Sequence, residues 1–142
     1  MMSLQLSDLW TAAGVLLGFQ VTAFAWRISH EAEVADRGDI SWIPPADFLN
    51  LLAMVITALG CFVLPGSSLI SIQTASRLLG LSTIVFVGHS FALAAHYELF
   101  NPRTKRTYRY FPPQERITVF VVSIVAVAYL IVAFLYKPAG YP

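Results

Sequence analysis

Three histidines, His30, His89 and His96, are the residues of this 142-residue chain best suited to chemistry. Histidine ligates metals, titrates near neutral pH and relays protons. All three lie in or beside apolar stretches, and an ionisable group inside a membrane span is a functional candidate by default. One chemistry they suggest is redox or metal binding. A haem b between membrane helices takes an axial histidine from each of two facing helices. His89 and His96 stand seven apart on one helix and cannot bracket one iron. His30 with His96 could do so from two helices, and Glu31, Glu33 and Glu98 nearby offer oxygen ligands for a metal. A second chemistry is a proton, ion or quinone path, with Gln20, Thr57, Ser82 and His89 as the polar groups at membrane depth and His96 with Tyr97 as the pair a quinone pocket would use. A transporter normally shows a buried carboxylate or broken helices near the midplane; no Asp or Glu is expected mid-span here. The bland alternative is structural: His89 stays neutral and hydrogen-bonds across helices, while His30 and His96 sit in wet headgroup territory. The leading expectation is therefore no cofactor, with haem or a metal as the alternative.

The elements that must position these residues are apolar helices. Charge-free stretches run over Leu9–Trp26, Phe48–Leu64, Leu78–Tyr97 and Ile117–Tyr136. A helix needs about 20 apolar residues to cross about 30 Å of hydrocarbon. Spans are expected over about 9–28, 48–64, 71–100 and 116–137. The fold class is all-α, a four-helix transmembrane bundle in one membrane domain covering residues 1–142. The composition agrees, with 57% hydrophobic and 12% charged residues against about a quarter charged in soluble proteins. A net charge of +1 gives no bulk case for nucleic acid. The lone Cys61 lies within the second span and reads as a small apolar residue. The uncharged Met1–Ser7 does not resemble a cleavable signal, and the last residues carry no lipidation box. No catalytic motif stands out, and no enzyme activity is expected.

Charge sets an expected orientation. Arg27, Arg37, Arg103, Lys105, Arg106, Arg109 and Arg116 fall on the side of the two long loops, against Arg77 and Lys137 on the other, seven to two. The positive-inside rule then puts both loops in the cytoplasm and both termini outside, in a plasma or inner membrane.

Local patterns refine the spans. Asp8 reads as a cap for the first helix and Asp47 as a cap for the second. Pro65-Gly66-Ser67-Ser68 ends the second. Gly14 and Gly18 form a GxxxG spacing, which lets another helix approach closely. Gln20 is expected to make an interhelical hydrogen bond. Ser82, His89 and His96 share one face of the third span, which should look into the bundle. Val122, Ala126, Tyr129 and Ala133 mark a packing seam on the fourth. The two loops also end alike. Trp42-Ile43-Pro44-Pro45-Ala46-Asp47 parallels Tyr110-Phe111-Pro112-Pro113-Gln114-Glu115, and Gly14 to His30 repeats the spacing of Gly80 to His96. The chain therefore reads as two tandem helical hairpins, either by duplication or because both loops met the same need for a rigid turn.

Arg103, Lys105, Arg106 and Arg109, interleaved with Tyr108 and Tyr110, would contact anionic lipid or a partner subunit. The best functional expectation is a small accessory or scaffold subunit that packs against other membrane proteins or itself. The alternatives are a redox or metal-binding protein using the histidines, then an oligomeric channel or transporter.

Overall fold

The computed structural model describes residues 5–38, 42–100 and 110–135. Four helices, each long and apolar enough to cross a membrane, make an all-α bundle: α1 Leu6–Asp36, α2 Pro45–Gly66, α3 Ile72–His96 and α4 Pro113–Leu135. The chain is an integral membrane protein, and its outer surface carries the large apolar side chains (Phe19, Trp26, Phe48, Phe91, Phe120) that a soluble bundle would bury.

The helix ends follow from local chemistry. Gln5, not Asp8, is the N-cap of α1; Asp8 sits at the third helical position, where its carboxylate accepts the Gln5 N–H at 3.4 Å. Ser71 caps α3 through the Thr74 N–H, close to the expected start at residue 71, and Leu69 and Ile70 belong to the turn. Gly38, Ser68 and Glu98 all have positive φ, and the amides that follow α2 and α3 fold back onto carbonyls of the last turn. This reversal stops α3 at His96, short of the expected residue 100. In contrast, α1 runs on to Asp36. At 1.5 Å per residue its 31 residues outreach the hydrocarbon, and His30, Glu31 and Glu33 lie on helix rather than in a loop.

In α2 the sequence hides a detour. An α-helix would turn the Cys61 carbonyl toward the N–H of residue 65, and proline has none. The helix widens to π geometry over Ala58–Val63, and the indole Nε1 of Trp10 donates to the Cys61 carbonyl at 3.0 Å. A side chain of a neighbouring helix thus serves a carbonyl one turn before the proline, near the end of α2.

Helix α3 is central. It packs along α2 and α4 and more lightly against α1, around Ala53, Leu81 and Val85. Close approach rests on small residues. A Cβ on Gly60 would lie 2.9 Å from Leu78 Cδ1, and one on Gly88 would lie 2.5 Å from Val122 Cγ1. Gly80 receives Tyr129, whose hydroxyl donates to the Arg77 carbonyl at 2.9 Å. The α4 seam of Val122, Ala126 and Tyr129 therefore lies against α3 glycines. Gly14 and Gly18 do not serve this purpose: a Cβ on Gly14 would only graze Phe62 at 4.0 Å, and one on Gly18 would meet nothing.

Overpacking a stiff β-branched neighbour costs about 1–3 kcal/mol. Gly88→Ala should lower the thermal midpoint of the detergent-solubilised protein, and adding Val122→Ala should restore part of it. An unchanged midpoint for Gly88→Ala would contradict the packing described.

Candidate functional site: a buried charged layer

The two Pro-Pro turns build the site. Pro44 and Pro112 are the N-caps of α2 and α4, with nearly the same backbone (φ −62, ψ 151 and φ −59, ψ 153). Pro45 and Pro113 follow at the first helical position, where a missing N–H costs nothing. Asp47 and Glu115 then both fall at the third position. An acid there normally reaches back to the N-cap N–H, as Asp8 does in α1. A proline N-cap has no N–H to offer, so both carboxylates turn across the bundle. Asp47 is therefore not a cap, and two acids are buried, at the starts of α2 and α4 rather than mid-span. Asp47 is 2% exposed and Glu115 fully enclosed.

Asp47 Oδ2 accepts from Arg27 Nε at 3.1 Å. The same guanidinium, 1% exposed, donates Nη1 to the Tyr97 hydroxyl at 2.6 Å and Nη2 to Glu31 at 2.7 Å. The second oxygen of Glu31 accepts the Trp42 N–H at 3.3 Å. Glu115 Oε1 accepts the Ala46 N–H at 2.6 Å, and its Oε2 pairs with His96 Nδ1 at 2.8 Å. His89 Nδ1 lies 3.0 Å from the Ala46 carbonyl, which can only accept, so Nδ1 carries the proton. One layer thus joins Arg27 and Glu31 of α1, Ala46 and Asp47 of α2, His89 and His96 of α3 and Glu115 of α4. It lies at the end of the bundle where α1 and α3 finish and α2 and α4 begin.

A neutral polar layer lies deeper. Ser82 accepts from Gln20 Nε2 at 2.9 Å, meets the Thr57 hydroxyl at 2.6 Å and donates to the Ala53 carbonyl at 2.8 Å. Asn50 Nδ2 donates to the Gln20 carbonyl at 2.9 Å. The interhelical bond expected of Gln20 is made here. Asp47 Oδ1, Asn50 Oδ1 and Gln20 Oε1 are buried acceptors without a hydrogen-bond donor.

The expected site residues are only partly united. His96 and His89 enter the charged layer, and the stripe with Ser82 faces inward as anticipated. The bond of His89 to Ala46 places it level with the start of α2, nearer the end of the bundle than Gln20, Thr57 and Ser82. His30 stacks on Trp26 of its own helix, with ring centroids 5.9 Å apart, and its ring contact is not with His96. Glu31 is taken by Arg27, and Glu33 is exposed beside Arg37 at 4.0 Å. Among the described residues no group of three His, Cys, Asp or Glu side chains is placed to hold a metal ion. Tyr110 is exposed, its ring 6.5 Å from that of Trp42, so the two loop ends meet. Arg103, Lys105, Arg106, Tyr108 and Arg109 lie outside the described residues.

Arg27, Asp47, Glu115 and Asn50 were missed as site residues. The signals were present: an acid at the third helical position behind a proline that cannot be capped, twice, and a basic residue four before Glu31.

Breaking a buried ion pair by removing one partner costs about 3–5 kcal/mol, because the other charge is stranded. Asp47→Ala should destabilise the solubilised protein by that order, and adding Arg27→Met should recover a substantial part. Equal stability of wild type and Asp47→Ala would contradict the pairing.

A scan against protein-family models and searches of curated proteins and of solved structures return no match.

Proposed function

We propose that this protein is a small accessory or scaffold subunit that packs against other membrane segments, with its two long loops in the cytoplasm and its termini outside. The observation that carries this reading is the open face of α1. Ser7, Thr11, Gly14, Gly18, Thr22, Ala25 and Ser29 recur at steps of three and four, and every one of them is exposed. Thr11 and Thr22 return their hydroxyls to carbonyls of their own helix, Ser7 and Gly18, so the face presents methyl groups and backbone. From Ser7 to Ser29, at about 1.5 Å per residue, it runs about the thickness of the hydrocarbon. Hydrocarbon gives apolar helices no hydrophobic drive to associate; close backbone contact along small residues does. Among the described residues little packs on this face: a Cβ on Gly14 would meet Phe62 at 4.0 Å and one on Gly18 nothing.

Two further features support the reading. The charged layer ties residues of all four helices together, which suits a scaffold. The basic bias of seven to two supports cytoplasmic loops.

Gly18→Leu separates folding from association, since the new side chain enters open space. Its thermal midpoint should stay near wild type. In mild detergent, wild type should co-purify with another membrane protein or a second copy, and Gly18→Leu should lose it. Wild type recovered as a lone monomer would contradict the proposal. A reporter active only in the cytoplasm should be silent when fused to the C-terminus; activity there would reverse the orientation.

A further inference from the structure

We infer that the inner side of the charged layer, between α1, α2 and α3, binds a monovalent cation of the size of sodium or potassium. Three enclosed oxygens there accept from no donor: Asp47 Oδ1, Asn50 Oδ1 and Gln20 Oε1. Their residues adjoin. Asp47 and Asn50 belong to the buried stripe of α2, and a spacing of three makes them neighbours on one face. Asn50 touches Gln20, its Nδ2 donating to the Gln20 carbonyl at 2.9 Å. The partners also decide which end of each amide points where. The Gln20 carbonyl can only accept, so Asn50 faces it with nitrogen and turns its oxygen the other way. Ser82 gives its hydroxyl proton to the Ala53 carbonyl, so Gln20 meets Ser82 with Nε2 and not with Oε1. On Asp47, Oδ2 is taken by Arg27, while Oδ1 stands 3.8 Å from His89 Nδ1, whose proton goes to the Ala46 carbonyl.

Charge selects the ligand. The layer holds three carboxylates, Glu31, Asp47 and Glu115, around Arg27 and His96. Even with His96 protonated against Glu115, one guanidinium serves both Asp47 and Glu31, and one negative charge is left over. A buried carboxylate oxygen without a partner costs stability, and a cation placed against it removes that cost. Hard cations take carboxylate and amide oxygens alike. A water would donate to such oxygens but bring no charge. One carboxylate and two neutral amides match a charge of one. An ion that needs several His, Cys, Asp or Glu ligands has no such group among the described residues. Glu31, with a side chain 21% exposed, sets the layer at the aqueous end of the bundle and gives the ion a short way in.

This inference does not rest on the scaffold reading, and co-purification of a partner does not bear on it. The test is the thermal midpoint of the purified full-length protein in detergent. Sodium or potassium chloride is titrated in at constant ionic strength against the chloride of N-methylglucamine, a cation too large for the site. A ligand that binds only the folded state raises the midpoint with its concentration. Wild type should be stabilised by sodium or potassium over N-methylglucamine. Asn50→Leu removes one oxygen and should raise the concentration for half-maximal stabilisation about ten-fold, the equivalent of about 1.4 kcal/mol. Gln20→Met should act in the same direction. Gly60→Ala, which crowds Leu78 toward the far end of α2, should lower the midpoint and keep the full response. The wild-type comparison needs no variant to fold: equal midpoints in the three salts would overturn the site and leave the oxygens to water. A cation response retained in full by both Asn50→Leu and Gln20→Met would place the ion elsewhere and overturn it as well.

Discussion

A guanidinium withdrawn from solvent has to place its N–H groups, and Arg27 does so on three helices at once. Its Nε goes to Asp47 at the start of α2, Nη1 to Tyr97 just past the end of α3, and Nη2 to Glu31 one turn along α1. An isolated charge at this burial would cost several kcal/mol. The bundle therefore cannot rotate α1, slide α2 or extend α3 without stranding it. Ion pairs of this kind add little net stability over well-packed apolar residues, but they discriminate against other registers. In a membrane, where apolar helices have no hydrophobic reason to choose one arrangement, that discrimination matters more than the pair's net worth.

The layer depends in turn on two missing amide hydrogens. The three helices that carry an acid at their third position make an internal comparison. Behind Gln5, Asp8 reaches back to its own N-cap. Behind Pro44 and Pro112, Asp47 and Glu115 have no such partner and look across the bundle. The partners then differ, arginine for one and histidine for the other. Both carboxylates converge on the α2 start: Asp47 belongs to it, and Glu115 takes the Ala46 N–H. His89 takes the carbonyl of the same Ala46. Sharing this residue adds to the links that Arg27 and Ser82 make between the two hairpins.

The sequence made the architecture plain because hydrocarbon thickness sets span length so tightly. The number and order of the spans and the inward stripe of Ser82, His89 and His96 could all be read from it. So could the α4 seam, since small and β-branched residues at helical spacing have one sensible use. The site was harder. Arg27 looked like a topology marker and Asp47 like a cap, since a residue near a span end is ordinarily wet; only the extension of α1 to Asp36 put Arg27 indoors. Glu115 was noticed as part of a repeated pattern, but its direction depends on the absence of an N–H, which is a geometric rather than a compositional fact. The π turn in α2 was invisible because Pro65 reads equally as a stop and as a residue of the last turn. Gly14 and Gly18 were read as a helix-crossing face from their spacing alone. That the face points away from the chain's own helices could be seen only in the fold.

The two Pro-Pro turns project their acids across the bundle and so lock the hairpins together. A double-mutant cycle on His96 and Glu115, read by reversible unfolding of the solubilised protein, tests it most directly. His96→Gln, Glu115→Gln and the double variant should show a coupling of about 1–3 kcal/mol, the range for residues in one hydrogen-bonded network. Strictly additive effects would mean that Glu115 and His96 do not meet, and the layer as described would not exist.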